Sequence, residues 1–417
     1  MTGTDTGVEF NPFSPDFFDD PYATYRRLRD EAPVYHNDRF GFWALSRFDD
    51  VVAAHRDWQT FSSAHGLTID QLTDPDNPMG DTSIIMMDPP KHDRLRKLVT
   101  RVFTPRAVSS LEPMIHDVIS SYLDPLLRDR DQFDALAEFA APFPVEVIST
   151  MLGVPKADRQ QIRLWTDEML HREPDDPKPT RAGIEASLDQ VLYFLELIKE
   201  KRTHPGDDML TRLTEVEVPA SELEDGDRGE AASQRLSDDE IAGFATLLAA
   251  AGSETVTKLV GNGIVLFAGN PGEWQKLLDG DRERFVGAVE EVLRYWAPSQ
   301  YQGRFTHKPA TFHGETIPEG VPVLLLTGAA NRDERAYADP DRFDIDRPQQ
   351  LGVGLGHGIH SCLGAALARL ESRIAFEQWA SRCPRYEVDE SGLRRVHMSN
   401  VAGFSNVPVR APLSLRF

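Results

Sequence analysis

From Ala107 to Trp296 the apolar residues recur mostly at three- and four-residue spacing, which predicts a chain dominated by helices over that stretch. The first 60 residues are mixed. Asp20-Pro21 opens a short helix through YATYRRLRDE, with Asp20 as the cap and Pro21 at the first helical position, and Pro33 ends it. VYHNDRFGFWALSRF (34–48) then alternates enough to predict a small hairpin. Past residue 305 come short β-like pieces, ATFHGETI (310–317) and VPVLLLTG (321–328). The acidic, small-residue stretch 219–235 reads as an exposed loop inside one unit, since the helices on either side look like parts of one core. The pattern therefore predicts a mainly α fold with small β-sheets, in a single domain spanning 1–417.

The longest helix has defined ends. Ser237 and Glu240 form a capping box, Leu236 and Ile241 are spaced as a hydrophobic staple, and Gly269-Asn270-Pro271 is a stop signal. A helix over 237–268 would be roughly 48 Å long, enough to cross the whole molecule, and so is expected at its centre.

Composition narrows the setting. Of 417 residues 40% are hydrophobic and 27% charged, which suits one large core. A net charge of −22 argues against nucleic acid as a general partner. Lys91–Arg106, KHDRLRKLVTRVFTPR, runs the other way, with six Lys or Arg and a single acid. It is either a solvated helix face or a docking patch for an acidic redox protein. Two cysteines, Cys362 and Cys383, make no disulfide framework and point to a reducing, cytoplasmic compartment. The N-terminus has no signal-peptide pattern, and no run of 18 apolar residues predicts a membrane anchor.

The densest chemistry lies at Gly352–Gly364, GVGLGHGIHSCLG, followed at once by the helical run AALARLESRIAFEQWA. Five glycines let backbone approach a bulky flat ligand, and the loop delivers Cys362 to the first turn of a helix, where free N–H groups favour a thiolate. Read alone, the loop is also compatible with a buried structural cysteine, or with zinc or iron held by His357, His360 and Cys362. It resembles the haem-ligand signature of the cytochrome P450 family, Phe-x-x-Gly-x-His-x-Cys-x-Gly. Gly358, His360, Cys362 and Gly364 stand at the matching offsets, and Leu355 replaces the usual aromatic residue.

Further motifs follow in family order. Ala251-Gly252-Ser253-Glu254-Thr255, midway along the long helix, resembles the oxygen-activation motif. A glycine there costs about 1 kcal/mol relative to alanine, and its expected use is a local opening of the helix. Thr255 would donate a hydrogen bond to the oxygen being activated, and Glu254 would connect it to solvent protons. Taken alone, the same stretch would be a helix kink with satisfied polar groups. Glu291 and Arg294 share a helix face, by themselves a surface ion pair. In the family such a pair is joined by an arginine from the stretch before the cysteine loop, here Arg347, with Arg342 the runner-up. His92, Arg96, Arg304 and His360 match the residues that hold the haem carboxylates, a task that calls for cationic donors.

The resemblance implies a cytochrome P450 fold with haem b bound through Cys362. Ala251, Gly252, Leu355, Gly358 and Gly364 would lie against the haem, and Glu254 and Thr255 would be catalytic. It implies a monomeric, cytoplasmic monooxygenase that hydroxylates or epoxidises a medium-sized lipophilic small molecule with O2 and two electrons. The chain has no flavin or nicotinamide fingerprint and no iron–sulfur cysteines. Electrons would therefore come from a ferredoxin and its ferredoxin reductase, docking on Arg94, Lys97 and Arg101. The substrate pocket would be lined by Gly66–Met87, Thr246, Leu247, Ala250, Ser299–Gln302 and Val401–Ser405, with Gln300, Tyr301 and Gln302 as polar anchors. Oxidative coupling or desaturation by the same chemistry, and a non-enzymatic haem sensor, are the alternatives.

Overall fold

A computed structural model describes residues 7–73, 83–219, 233–348 and 350–412. Its architecture rests on helices α1 (Tyr22–Glu31), α2 (Phe48–Arg56), α3 (Lys91–Val102), α4 (Glu112–Asp129), α5 (Pro142–Leu152), α6 (Arg159–Leu170), α7 (Arg181–Thr203), α8 (Asp238–Gly269), α9 (Arg282–Tyr295) and α10 (Ala365–Arg382). The fold is mainly α with small sheets. α8 packs against α5, α6, α7, α9 and α10 and is buried on nearly every side, as expected of a helix whose apolar residues are not confined to one stripe. Its capping box forms as predicted: the Ser237 hydroxyl accepts from the Glu240 amide, and the Glu240 carboxylate from the Ser237 amide. Leu236 and Ile241 are both buried, and Pro271 starts the next helix.

The predicted hairpin is β1 (Val34–Asn37) with β2 (Phe42–Leu45). It joins β3 (Phe61–Ser62), β4 (Gln302–Thr306) and β5 (Pro322–Leu325) in one sheet of order β1-β2-β5-β4-β3. β5 runs parallel to β2 and antiparallel to β4, placing Val323 opposite Arg304. Arg304 therefore sits on an interior strand, 3% exposed, which fixes its direction far better than a loop would.

Two local expectations change. Pro21 is the cap residue and α1 begins at Tyr22, although the Asp20 carboxylate does accept from the Tyr22 amide at 3.0 Å. The ends of the predicted acidic loop form a ribbon, Glu217–Pro219 against Ser233–Arg235, while 220–232 lies outside the described residues. Backbone pairing needs no apolar side chains, so composition could not reveal it. Among the described residues no helix is long and apolar enough to cross a membrane.

Candidate functional site

The cysteine loop is a tight hairpin. The Cys362 amide donates to the Leu355 carbonyl at 2.9 Å, and Gly356 and Gly358 take positive φ values of 69° and 71°. A Cβ on Gly358 would lie 2.2 Å from the carbonyl oxygen of His55, so only glycine lets the loop rest on the end of α2. Arg56 Nε completes that contact by donating to His357 Nε2 at 2.8 Å. Cys362 does not sit in the first turn of a helix. α10 begins at Ala365 with Gly364 as its cap, which leaves Cys362 just outside it. Its sulfur is crowded by protein yet reachable by solvent. Burial pushes the thiol's pKa up, and the Gly364 amide and the charges of Arg96 and Arg369 pull it down.

The four residues matched to the haem carboxylates come together. The His92 and His360 rings meet edge to face, centroids 4.6 Å apart. Arg96 donates to the Ser361 carbonyl at 3.0 Å. The Arg304 guanidinium donates to the Gly303 carbonyl at 2.7 Å and lies 3.5 Å from His55 Nδ1. No carboxylate pairs with either arginine among the described residues. Burial lowers Arg304 to about 10 and also lowers Arg96. Burial first, then the charges of Arg304, His92, Arg96 and His55, holds His360 down to about 2; burial and Arg304 hold His55 at about 3. The Nε2 atoms of His55, His92 and His360 are buried without a partner. Asp93 meets His92 Nδ1 at 2.8 Å, but arginines without a paired carboxylate beside buried imidazole nitrogens without partners are costly unless an anion completes them. A group with two carboxylates, seated beside Cys362, fits that need. Sequence reasoning missed His55, a histidine at a helix end that belongs to no motif.

On α8, Glu254 is 4% exposed and its Oε1 lies 2.6 Å from Lys258 Nζ. Thr255 Oγ1 donates to the Ala251 carbonyl at 2.6 Å. The opening expected at Gly252 is not there, because α8 is helical throughout 238–269. Gly252 serves close packing instead: a Cβ would meet Ile148 of α5 at 3.2 Å. Ala251 is exposed midway along this otherwise buried helix, leaving a face open at the motif.

The ion network forms as expected. Glu291 binds Arg294 at 2.7 and 2.8 Å and Arg347 at 3.2 and 3.3 Å. Arg342 contributes only its carbonyl, to both arginines. Other expectations need correction. Arg94 is not free to dock a partner: it binds Glu240 at 2.5 Å and Gln234 at 2.6 Å, tying α3 to the cap of α8. Tyr301 is 1% exposed in a separate core with Phe10 and Tyr25, donating to the Ser399 carbonyl, and Gln300 spends its amide on the Ala297 carbonyl. Gln302 donates to Ser299 Oγ at 2.7 Å. Phe404 meets Trp296 edge to face beside a cleft of about 980 Å³ at the far end of α8, away from Ala251–Thr255. Segments 298–302 and 400–402 do meet, through a Ser299–Val401 bridge. Ile84, Met86 and Val401 are buried; residues 74–82 of the expected pocket lie outside the described residues. Among the described residues no group of His, Cys, Asp and Glu could hold a metal ion by itself, so a zinc site at His357, His360 and Cys362 does not form.

The cytochrome P450 family model matches residues 286–392. Over 411 residues the chain is 41% identical to putative cytochrome P450 123 of Mycobacterium tuberculosis, covering 97% of each. It is 39% identical over 424 residues to the vitamin D(3) 25-hydroxylase of Pseudonocardia autotrophica, covering 98% of each. The solved structure of cytochrome P450 CYP109Q5 from Chondromyces apiculatus matches with a TM-score of 0.85 at 32% identity, covering 97% of this chain and 98% of that one. Likeness over nearly the whole length, in sequence and in fold, makes this chain a member of the cytochrome P450 family, a haem b monooxygenase.

Proposed function

We propose that residues 1–417 form one domain that oxidises a medium-sized lipophilic molecule, by hydroxylation or epoxidation. Cys362 would hold the haem iron, with Leu355, Gly358 and Gly364 around it and Ala251 and Gly252 opposite. His92, Arg96, Arg304 and His360, with His55 beside them, would hold the haem carboxylates. The observation that carries this reading is a pair of arginines, Arg96 and Arg304, without a carboxylate partner among the described residues, set beside buried histidine nitrogens without partners and an exposed cysteine. Haem, when bound, supplies the binding and reductive activation of dioxygen. The chain's part is to position substrate and pass protons through Glu254 and Thr255. Buried Ile84, Met86 and Val401 favour a lipophilic substrate, and one relative is named for hydroxylating vitamin D(3). In T255A, product formed per oxygen consumed should fall about tenfold or more, with peroxide making up the difference. Unchanged coupling would remove Thr255 from proton delivery.

The electron donor is proposed to be a ferredoxin, supplied by its reductase, acting on a monomer in the cytoplasm. Lys97 and Arg101, both exposed on α3, are the docking candidates. The double variant K97E/R101E should slow reduction by ferredoxin on the order of tenfold at low salt and leave reduction by dithionite intact. Equal slowing by both reductants would show damage to the fold rather than to docking.

A further inference from the structure

The cleft of about 980 Å³ at the end of α8 is no part of the site described above. Val265 and Leu266 line it, ten and eleven residues beyond Thr255, and so roughly 15 Å further along the helix. Its chemistry centres on Arg395. A short antiparallel ribbon sets Arg395 opposite Phe404, and the guanidinium carbon lies 3.9 Å from the centroid of the Phe404 ring and 4.7 Å from that of Trp296. Trp296 is itself anchored, because Asn262 of α8 donates to its carbonyl at 3.0 Å. The two rings hold the charge in place but leave its N–H groups to be satisfied elsewhere. Among the described residues no hydrogen-bond acceptor and no carboxylate pairs with them. Burial lowers the pKa of this half-buried group, and Tyr22, Asp20 and Asp19 offset that only electrostatically. Five fixed donors without an acceptor are one half of a bidentate pair with a carboxylate.

The other charges of the cleft narrow what could supply the second half. Arg394 spends its Nη1 on the Ser391 and Leu393 carbonyls, so Arg395 is the cation left to a ligand. Asp19, Glu387 and Glu390 also line the cleft and are exposed, which sets them against a phosphate or any polyanion. The volume suits an organic molecule of drug size, with Val265, Leu266 and Leu393 to take its apolar part. We propose that this cleft is a second ligand site, separate from the haem, which binds a monocarboxylate on an apolar body through the Arg395 guanidinium beside Trp296 and Phe404. The site stands apart from the monooxygenase reading and does not depend on it.

The probe is 2-naphthoate, with 2-naphthamide as its neutral counterpart, titrated into the holoenzyme by calorimetry. Naphthoate should bind saturably and about tenfold or more tighter than the amide, the preference expected of hydrogen bonds to a charged partner. R395Q should bring naphthoate down to the affinity of the amide. Naphthoate should quench a tryptophan fluorescence component that is missing in W296F. An azole saturating the haem iron should leave naphthoate binding unchanged. No saturable binding of naphthoate, equal affinity for the two probes, or wild-type affinity in R395Q would each overturn the proposal. Displacement of naphthoate by the azole would do so too, by placing it in the haem pocket. Should R395Q not fold, the two probes compared on the wild type decide alone.

Discussion

Cys362→Ser should abolish the strongly red-shifted Soret band expected of the dithionite-reduced protein with carbon monoxide. This is the largest effect expected of one substitution here. Burial opposes ionisation of the Cys362 thiol, and the Gly364 amide with Arg96 and Arg369 only partly offsets it. Bound haem iron would favour the thiolate and so complete the deprotonation, as metals do for thiolate ligands generally. Serine keeps the loop's shape but gives iron a hydroxyl, whose proton is far harder to remove. The hairpin from Leu355 to Cys362 depends on backbone contacts and should survive. The measurement is the carbon monoxide difference spectrum of wild type and variant at equal protein concentration. Loss of the band with a folded variant is the expected result; a red-shifted band that persists in C362S would place the ligand elsewhere.

Glu291→Ala should cost about 3–5 kcal/mol of stability and most of the bound haem. Removing one partner of a buried ion network leaves the others charged and unpaired, which costs far more than the intact network contributes. Here the loss strands two guanidinium groups, Arg294 at 5% exposure and Arg347, and also frees the Asp344 amide that Glu291 accepts from. Arg294 additionally gathers the carbonyls of Asn331, Pro340 and Arg342, so the network ties α9 to the segment leading into the cysteine loop. R342A is the control. That guanidinium is 63% exposed with Asp344 3.6 Å away, and its removal should change stability by less than about 1 kcal/mol. Denaturant midpoints and haem absorbance of both variants decide the matter; E291A within 1 kcal/mol of wild type would show that the network is not needed to hold the core.

What could be read from the sequence was what is written locally. The capping box of α8, the glycine-rich loop before Cys362 and the Glu291–Arg294 spacing each occupy a few consecutive residues, although the loop leaves Cys362 outside the helix it was expected to open. The backbone they dictate does not wait on distant contacts. What escaped was set by partners far along the chain. His55 is drawn into the site by Arg304, 249 residues away, and Arg94 is claimed by Glu240, 146 residues away. Tyr301 went astray for a different reason. One step along an extended segment turns a side chain to the opposite face, and the pattern near β4 did not show which face was which. Gly252 had two physical explanations, an opened helix or a close neighbour, and only the position of Ile148 separates them. The pairing of Lys258 with Glu254, four residues before it, was legible in principle, but many such pairs are solvent-exposed.

The uncompensated cations beside Cys362 also tie the life of the polypeptide to its cofactor. A chain that binds a ligand only when folded is stabilised by mass action in proportion to the free ligand over its dissociation constant. Here the ligand also supplies the paired carboxylate that Arg96 and Arg304 lack and partners for three buried histidine Nε2 atoms. Haem scarcity would then be felt first as faster turnover of the polypeptide by proteases, before it was felt as a slower reaction.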